Sequence, residues 1–238
     1  MKILAIDASS LVASVAILEE DKLLAEYTVN FKKTHSETLM PMLDEVCSMI
    51  SLDLESIDAI AVAGGPGSFT GLRIGAATAK GLGLALDKPI VSIPTIEGLA
   101  YNLCGASDYV CPIMDARRNQ TYTGIYKFNG SDMETIVAQT ACGIDEIVDK
   151  INELSTPVTF LGDGVPVFRE FINENCTVPV NFAPAHMNRQ RAGAVGALAF
   201  TYYKEGRIQT AAEHRPDYLR LSQAERERLE KEKAVNED

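Results

Sequence analysis

The chain has no C-x-x-C pair, no H-x-x-x-H or H-E-x-x-H, no G-x-S-x-G and no excess of basic residues. Each absence removes a class of function. The five cysteines, Cys47, Cys104, Cys111, Cys142 and Cys176, are odd in number and far apart. That argues against a disulfide framework or a structural zinc site, and leaves free, buried thiols in a reducing cytosol as the expectation. The histidines His35, His186 and His214 are remote from one another, so no helix carries a paired metal site. No serine or cysteine has a candidate base nearby, and His35 reads as a surface side chain. A formal net charge of -11 works against a direct electrostatic grip on nucleic acid, because counterion release needs clustered Lys and Arg. It leaves open work beside an RNA held by another protein. No apolar run approaches the roughly 20 residues of a membrane span. The opening "MKILAIDASS" is interrupted by Asp7 and reads as a strand, not a signal peptide. With 46% hydrophobic residues in 238, the chain has ample material for a core, and it is expected to be cytoplasmic.

What is there begins with a meander. "KILAIDA" and the two segments of "LVASVAILEEDKLLAEYTVNF" predict three antiparallel strands, with "EEDK" as a turn. "THSETLMPMLDEVCSMISL" predicts a helix in which Thr34 and Glu37 have capping-box spacing. "IDAIAVAGG" predicts a buried strand, "TGLRIGAATAKGLGLALD" a helix and "PIVSIP" another strand. The plan then restarts. "DYVCPIMDARRNQTYTGIYKFN" repeats the order of apolar run, aspartate (Asp115 for Asp7), polar turn and strand. A helix at "GIDEIVDKINELS", a strand at "PVTFLGDG" and a helix at "VPVFREFINEN" follow, which points to a duplicated mixed α/β fold. The last segment, "SQAERERLEKEKAVNED", alternates charge sign and reads as a solvated helix or frayed tail.

Three features invite chemistry or contact. Asp7 with Ser9 and Ser10, at the end of the first strand, suits a metal and a phosphate, or else a tight turn satisfied by its own side chains. "GGPGSFTGLRIG" lies between a strand and a helix, where backbone donors suit an anion. It matches neither a P-loop, since Leu72 follows Gly71, nor G-x-G-x-x-G, since Gly71 falls one residue late. It does supply a strip of small residues, Gly71, Gly75, Ala79 and Gly83, for packing on the protein's own sheet or for close helix–helix contact. On the first helix, Leu39, Leu43, Val46 and Ile50 form a stripe flanked by Met40 and Cys47 on one side and Met42 and Met49 on the other. That arc exceeds the roughly 100° a one-sided surface helix needs. It predicts either deep burial or, as the favoured reading, an interaction surface.

Together "ILAIDASS", "GGPGSFTGLRIGAATAKGLGLAL", "MDARRNQTY", "FLGDG" and "PDYLR" resemble the TsaB family, also called YeaZ, over almost the whole chain. The resemblance implies a two-domain actin, Hsp70 and sugar-kinase-like α/β fold with duplicated mixed-sheet halves. The expected division is residues 1–105, residues 106–222 with a last helix packing back on the first half, and a charged tail at 223–238. The resemblance also implies a non-catalytic scaffold in the formation of N6-threonylcarbamoyladenosine (t6A) in tRNA. Its partners would be the catalytic paralogue TsaD, the ATPase TsaE and, when alone, a second copy of itself, with tRNA met only indirectly. The paralogue's metal-binding H-x-x-x-H aligns with Thr95 and Leu99, and leucine cannot bind a metal. Asp7, Ser9, Gly65, Gly67, Gly162 and Asp163 would then line a vestigial nucleotide cleft with no tightly bound cofactor and at most a weak nucleotide. Arg117 and Arg118 are either surface charge or, as favoured, residues of that cleft, which they would plug or where they would pair with Asp7, Asp115 or Asp163. The contact surface is expected at Leu39, Met42, Leu43, Val46, Gly71, Gly75, Ala79 and Gly83. Leu39→Asp or Gly75→Leu should therefore abolish partner binding and leave the monomer folded. A small-molecule kinase of the same fold is the alternative, and a metallopeptidase a remoter one that the missing histidine pair counts against.

Overall fold

Strand β1 (Lys2–Asp7) is apolar at consecutive positions, as a strand covered on both faces must be. In the computed structural model, which describes residues 1–20 and 22–220, it lies at the centre of a five-stranded sheet. It pairs antiparallel with β2 (Ala13–Glu19), from Lys2↔Glu19 to Asp7↔Ser14, and parallel with β4 (Ala59–Gly65). β3 (Lys22–Val29) and β5 (Ile90–Pro94) form the edges, giving the order β3-β2-β1-β4-β5. Helices α1 (His35–Met49) and α2 (Phe69–Leu86) connect these strands and cover one face, over Leu4, Ile6, Val15 and Ile17.

The second half repeats this plan. β6 (Tyr109–Asp115), β7 (Gln120–Asn129), β8 (Asp132–Gly143), β9 (Val158–Leu161) and β10 (Val180–Phe182) form a sheet of order β10-β9-β6-β7-β8. Read from its meander edge, that is the order of the first sheet. Helices α4 (Ile144–Leu154) and α5 (Val165–Asn175) cover its outer face through Ile147, Ile151, Phe168 and Ile172.

The two remaining helices cross over. α3 (Thr95–Ala100) follows the first sheet but buries Ile96, Leu99 and Ala100 against Val110, Met114 and Tyr126 of the second. α6 (Ala192–Lys204) follows the second sheet and packs Val195, Leu198 and Ala199 onto Ile3, Ala5 and Val91 of the first. Gly196 makes this approach possible, because a Cβ there would stand 2.2 Å from Leu18 Cδ1. Each half is thus closed by a helix that belongs to the other, which ties the lobes at their shared face. Among the described residues no helix is long and apolar enough to cross a membrane.

Several expectations need correction here. Thr34 is the N-cap of α1, but its side chain makes no capping bond. Its carbonyl accepts instead from the Glu37 N–H (3.0 Å) and the Thr38 hydroxyl (3.2 Å). The five thiols are free, yet only Cys47 and Cys111 are buried, and Cys104 is exposed. β8 has no counterpart in the sequence reading. The charged tail at 223–238 lies outside the described residues.

The predicted contact surface is also displaced. Leu39, Met42, Leu43 and Val46 belong to the core beneath α1, Leu39 being 1% exposed. Gly71 lies under the Ala8 carbonyl, Gly75 against Ala8 and Val62, and Gly83 against Ala211 and the Lys88 carbonyl, while Ala79 is fully buried. The wide arc and the small-residue strip therefore serve the packing of α1 and α2 on their own sheet. Leu39→Asp and Gly75→Leu would act on the monomer itself.

Candidate functional site

The ends of β1, β4, β6 and β9 converge between the lobes, where a cleft of about 600 Å³ opens. Strand ends in open α/β sheets are where ligands usually sit, because the turns there expose backbone groups. From the first lobe come Ser9, Ser10, Lys33, His35, Gly67 and Ser68. From the second come Asp115, Arg117, Arg118, Tyr122 and Asp163, and Arg220 enters from the chain's last described stretch.

Asp7 is 1% exposed and faces its own turn. Its Oδ1 accepts from the Ser9 N–H at 2.9 Å and the Ser9 hydroxyl at 2.6 Å. Burial raises the carboxyl from an ordinary 3.8 to about 6, against the opposing pull of the Ser9 hydrogen bonds and the His35 charge. Ser10 closes the turn further, donating its hydroxyl to Gln190 Oε1 (2.9 Å) and accepting from the Val12 N–H (3.1 Å). This is the self-satisfied turn, with Asp7 behind the cleft wall.

The glycine turns are occupied by the protein's own backbone. A Cβ on Gly65 (φ +122) would meet the Asp217 carbonyl oxygen at 2.0 Å, and one on Gly67 the Ser9 carbonyl at 2.3 Å. The Asp217 N–H donates to the Gly64 carbonyl (2.7 Å), and the Ser68 N–H to the Ser9 carbonyl (2.7 Å). At α2, the Ser68 hydroxyl caps the Gly71 N–H at 3.3 Å. In the second lobe a Cβ on Gly162 (φ +110) would lie 2.1 Å from the Ile113 carbonyl, and one on Gly164 3.0 Å from it. Asp163 is mostly buried and accepts from the Asp115 N–H (3.3 Å), with its carboxyl raised by that burial. The chain's own carbonyls stand where side chains would project, so close backbone packing by itself requires glycine at these turns.

Thr95 and Leu99, on α3, brace these turns from below. The Thr95 hydroxyl accepts the Gly65 N–H (3.0 Å), and Leu99 Cδ2 lies 3.2 Å from the position of a Gly162 Cβ. Among the described residues no three His, Cys, Asp or Glu side chains come together as a metal site.

Arg117 and Arg118 stand at the rim and leave the cleft open. Arg117 is 87% exposed and reaches Asp115 at 3.3 Å, one of the three carboxylates expected. Arg117, Arg118 and Asn119 all adopt left-handed φ (66°, 56° and 57°), and both arginines are exposed while lining the cleft.

A strap from Pro216 to Arg220 was legible only as a motif. Its Tyr218 ring stacks on Phe69 (4.8 Å, 6°), and the Arg73 Nε–H donates to the Tyr218 hydroxyl at 3.3 Å. Arg220 then crosses to the second lobe and donates to the Ala116 carbonyl at 2.6 Å. Lys33 and Arg220 are the two cationic lining residues not expected from the sequence. One sits in an unremarkable loop and the other is more than a hundred residues from the groups it joins, so only "PDYLR" hinted at either.

The family model described as TsaD, tRNA N6-adenosine threonylcarbamoyltransferase, matches residues 22–228. Over 236 residues the chain is 34% identical to the tRNA threonylcarbamoyladenosine biosynthesis protein TsaB of Bacillus subtilis (strain 168), covering 98% of this chain and 100% of that one. Its similarity to the tRNA N6-adenosine threonylcarbamoyltransferase of Protochlamydia amoebophila (strain UWE25) is 30% over 125 residues, which is 51% of this chain and 36% of that one. The solved structure of YeaZ from Pseudomonas aeruginosa aligns with a TM-score of 0.77 at 24% identity, over 92% of this chain and 99% of that one. That likeness speaks for the fold, two lobes built on five-stranded mixed sheets of the same order.

Proposed function

Because the chain belongs to the TsaB (YeaZ) family of tRNA threonylcarbamoyladenosine biosynthesis proteins, we propose that it serves that pathway as the non-catalytic partner of a TsaD-type transferase. The observation that supports this most is the occupation of both glycine turns by backbone carbonyls, those of Asp217 and Ser9 in one lobe and Ile113 in the other. Those carbonyls account for the glycines as packing positions, with no need of a phosphate. The fold then contributes shape, and the chemistry resides in the partner. No cofactor is held tightly, an ATPase of the TsaE type completes the assembly, and a second copy of the chain substitutes for the partner when it is absent.

The contact surface still lies on α1 and α2, which share the outer face of the first sheet, but on the sides turned to solvent. Met40 (49%), Met49 (75%) and Leu84 (67%) are apolar and exposed there. Adaptable apolar side chains on two adjacent helices suit a helix–helix interface. Met49→Asp and Leu84→Asp should leave the melting temperature unchanged and strip the chain of its affinity for the transferase in size-exclusion co-elution. Normal co-elution of both variants would place the interface elsewhere. Loss of co-elution with an unchanged fold supports the surface.

A further inference from the structure

Residues 208–220 follow α6, run along the first sheet and end on the second lobe. They form no helix, and their one piece of ladder is the bridge between Gln209 and Ile90 (2.8 and 2.9 Å). Only two of their side chains are buried, Ala211 (5% exposed) and His214 (1%). Single contacts hold the rest. The Asp217 N–H donates to the Gly64 carbonyl, Tyr218 stacks on Phe69, and Arg220 donates to the Ala116 carbonyl across the lobes. A segment with so few buried side chains opens at lower cost than the sheet beneath it. His214 is the larger of its two anchors.

A proton would undo that anchor. Nδ1 of His214 lies 3.1 Å from Gln209 Oε1, an acceptor, so Nδ1 carries the hydrogen and Nε2 the lone pair. Nε2 is buried and has no partner among the described residues. The charge that faces it is a cation, Lys80 of α2, whose Nζ donates to the carbonyls of His214 (3.1 Å) and Ala212 (3.3 Å). Arg73, the other cation of α2, is engaged at Tyr218. Strands β4 and β5, which the segment touches at Gly64 and Ile90, carry no ionisable side chain. Glu213 is turned to Thr210 (2.7 and 3.0 Å), Arg215 and Asp217 are exposed, and Asp87 and Lys88 line a neighbouring groove that His214 does not. Burial and Lys80 therefore hold the imidazole below its ordinary 6.5. A proton on Nε2 would add a buried donor without an acceptor, beside a second positive charge.

We propose that residues 208–220 are a clasp between the lobes, released as a unit when His214 takes up a proton. With the ring neutral, the segment is seated, Asp217 closes the end of β4 and Arg220 holds the second lobe's turn. With the ring charged, His214 leaves for water and the contacts that depend on its seat go with it, while α3 and α6 keep the lobes joined. The closed clasp disfavours the proton. Its stability is therefore full above about 6.5, the open-state value, and declines as pH falls below it. The inference concerns the chain alone and does not depend on the role proposed beside the transferase.

Hydrogen–deuterium exchange of the full chain, corrected for the pH dependence of intrinsic exchange, tests it. Between pH 7.5 and pH 5.5 the amides of Gln209, His214 and Asp217 should lose up to about tenfold in protection, the limit one histidine with an open-state pKa of about 6.5 can supply. Amides in the middle of β1 and α6 should keep theirs. Glu213 acts in the same direction only below about 4.5, and Asp7 acts in the opposite one, so neither produces a loss in this window. His214→Asn retains a donor near Nδ1 and cannot ionise, so its clasp should show equal protection at both pH values. Should that variant fail to fold, the wild type followed in half-unit steps carries the test, with the loss beginning near pH 6.5. Arg220→Ala, which removes the contact across the lobes, should speed exchange at Asp217 about tenfold at both pH values, the scale of a charge-assisted hydrogen bond. Protection in the wild-type clasp that does not change, that falls equally in His214→Asn or that falls in step with the core overturns the proposal. So does an Arg220→Ala chain with unaltered exchange at Asp217.

Discussion

Asp7 and Asp115 end equivalent strands, β1 and β6, in sheets of the same order, yet their surroundings have diverged. Asp7 is sealed into a turn where Ser9 supplies two donors to one carboxylate oxygen. Asp115 stays half-buried at the cleft and meets a solvent-exposed arginine on a left-handed turn. The glycine turns differ in the same sense. Gly162 is held by Ile113 of its own sheet, whereas Gly65 is held by Asp217, which reaches it from the far end of the chain. Duplication preserved the strand order, because the core on each face depends on it. The strand-end turns carry no such constraint, so each lobe closes its turn by a different means.

The largest effect expected is at the glycine turns. Gly162→Ala places a methyl 2.1 Å from a carbonyl within a sheet and at φ +110, and should destabilise the protein by about 3–5 kcal/mol, the sum of backbone strain and overpacking. Gly65→Ala meets a carbonyl on the strap, which can lift away, and should cost about half as much. Equal losses in urea denaturation would break the contrast between a fixed and a movable neighbour.

The next concerns Asp7. Its folded carboxyl titrates near 6 instead of 3.8, so between those values the folded chain keeps a proton that the unfolded chain releases. The contribution therefore favours folding below the unfolded pKa and is lost as pH rises through about 6. A shift of this size corresponds to about 3 kcal/mol. Asp7→Asn cannot ionise, so the stability of wild type relative to this variant should fall by up to that amount between pH 4 and pH 7. Asp163 is raised in the same direction and remains in both proteins, so the difference isolates Asp7. A pH-independent difference would contradict the burial argument.

Smaller effects sharpen the comparison of the two turns. Ser9→Ala removes a buried hydroxyl donor to Asp7 and should cost about 1–2 kcal/mol. Arg117→Ala removes an exposed ion pair and should cost less than about 0.5 kcal/mol in thermal unfolding at moderate salt. A reversed order would mean that the second lobe's turn, not the first, carries the structural weight.

Much of this was legible in the sequence. "ILAIDASS" and "CPIMDARR" carry the same order of residue types, and that echo marks the centre of each sheet. β8 escaped notice because "DMETIVAQTACG" lies at a sheet edge with every residue partly or fully exposed, so no apolar alternation marks it. α6 is apolar on most sides, so it lacks the one-faced period that announces a surface helix. The wide arc of α1 was visible, but periodicity does not say whether such an arc faces a core or a partner. Burial of Leu39, Met42, Leu43 and Val46 settles that it faces the core. The rim cations were partly hidden, since Lys33 and Arg220 become neighbours of Arg117 and Arg118 only through the fold.

The central claim is that the chain acts by docking and performs no transfer itself. The direct measurement is incorporation of threonylcarbamoyl into tRNA by purified components, with this chain alone, with the TsaD-type transferase and its TsaE-type ATPase alone, and with all three together. The account predicts no incorporation by the chain alone and a marked rise when it joins the other two. Incorporation by the chain alone, or an equal rate without it, would contradict the account.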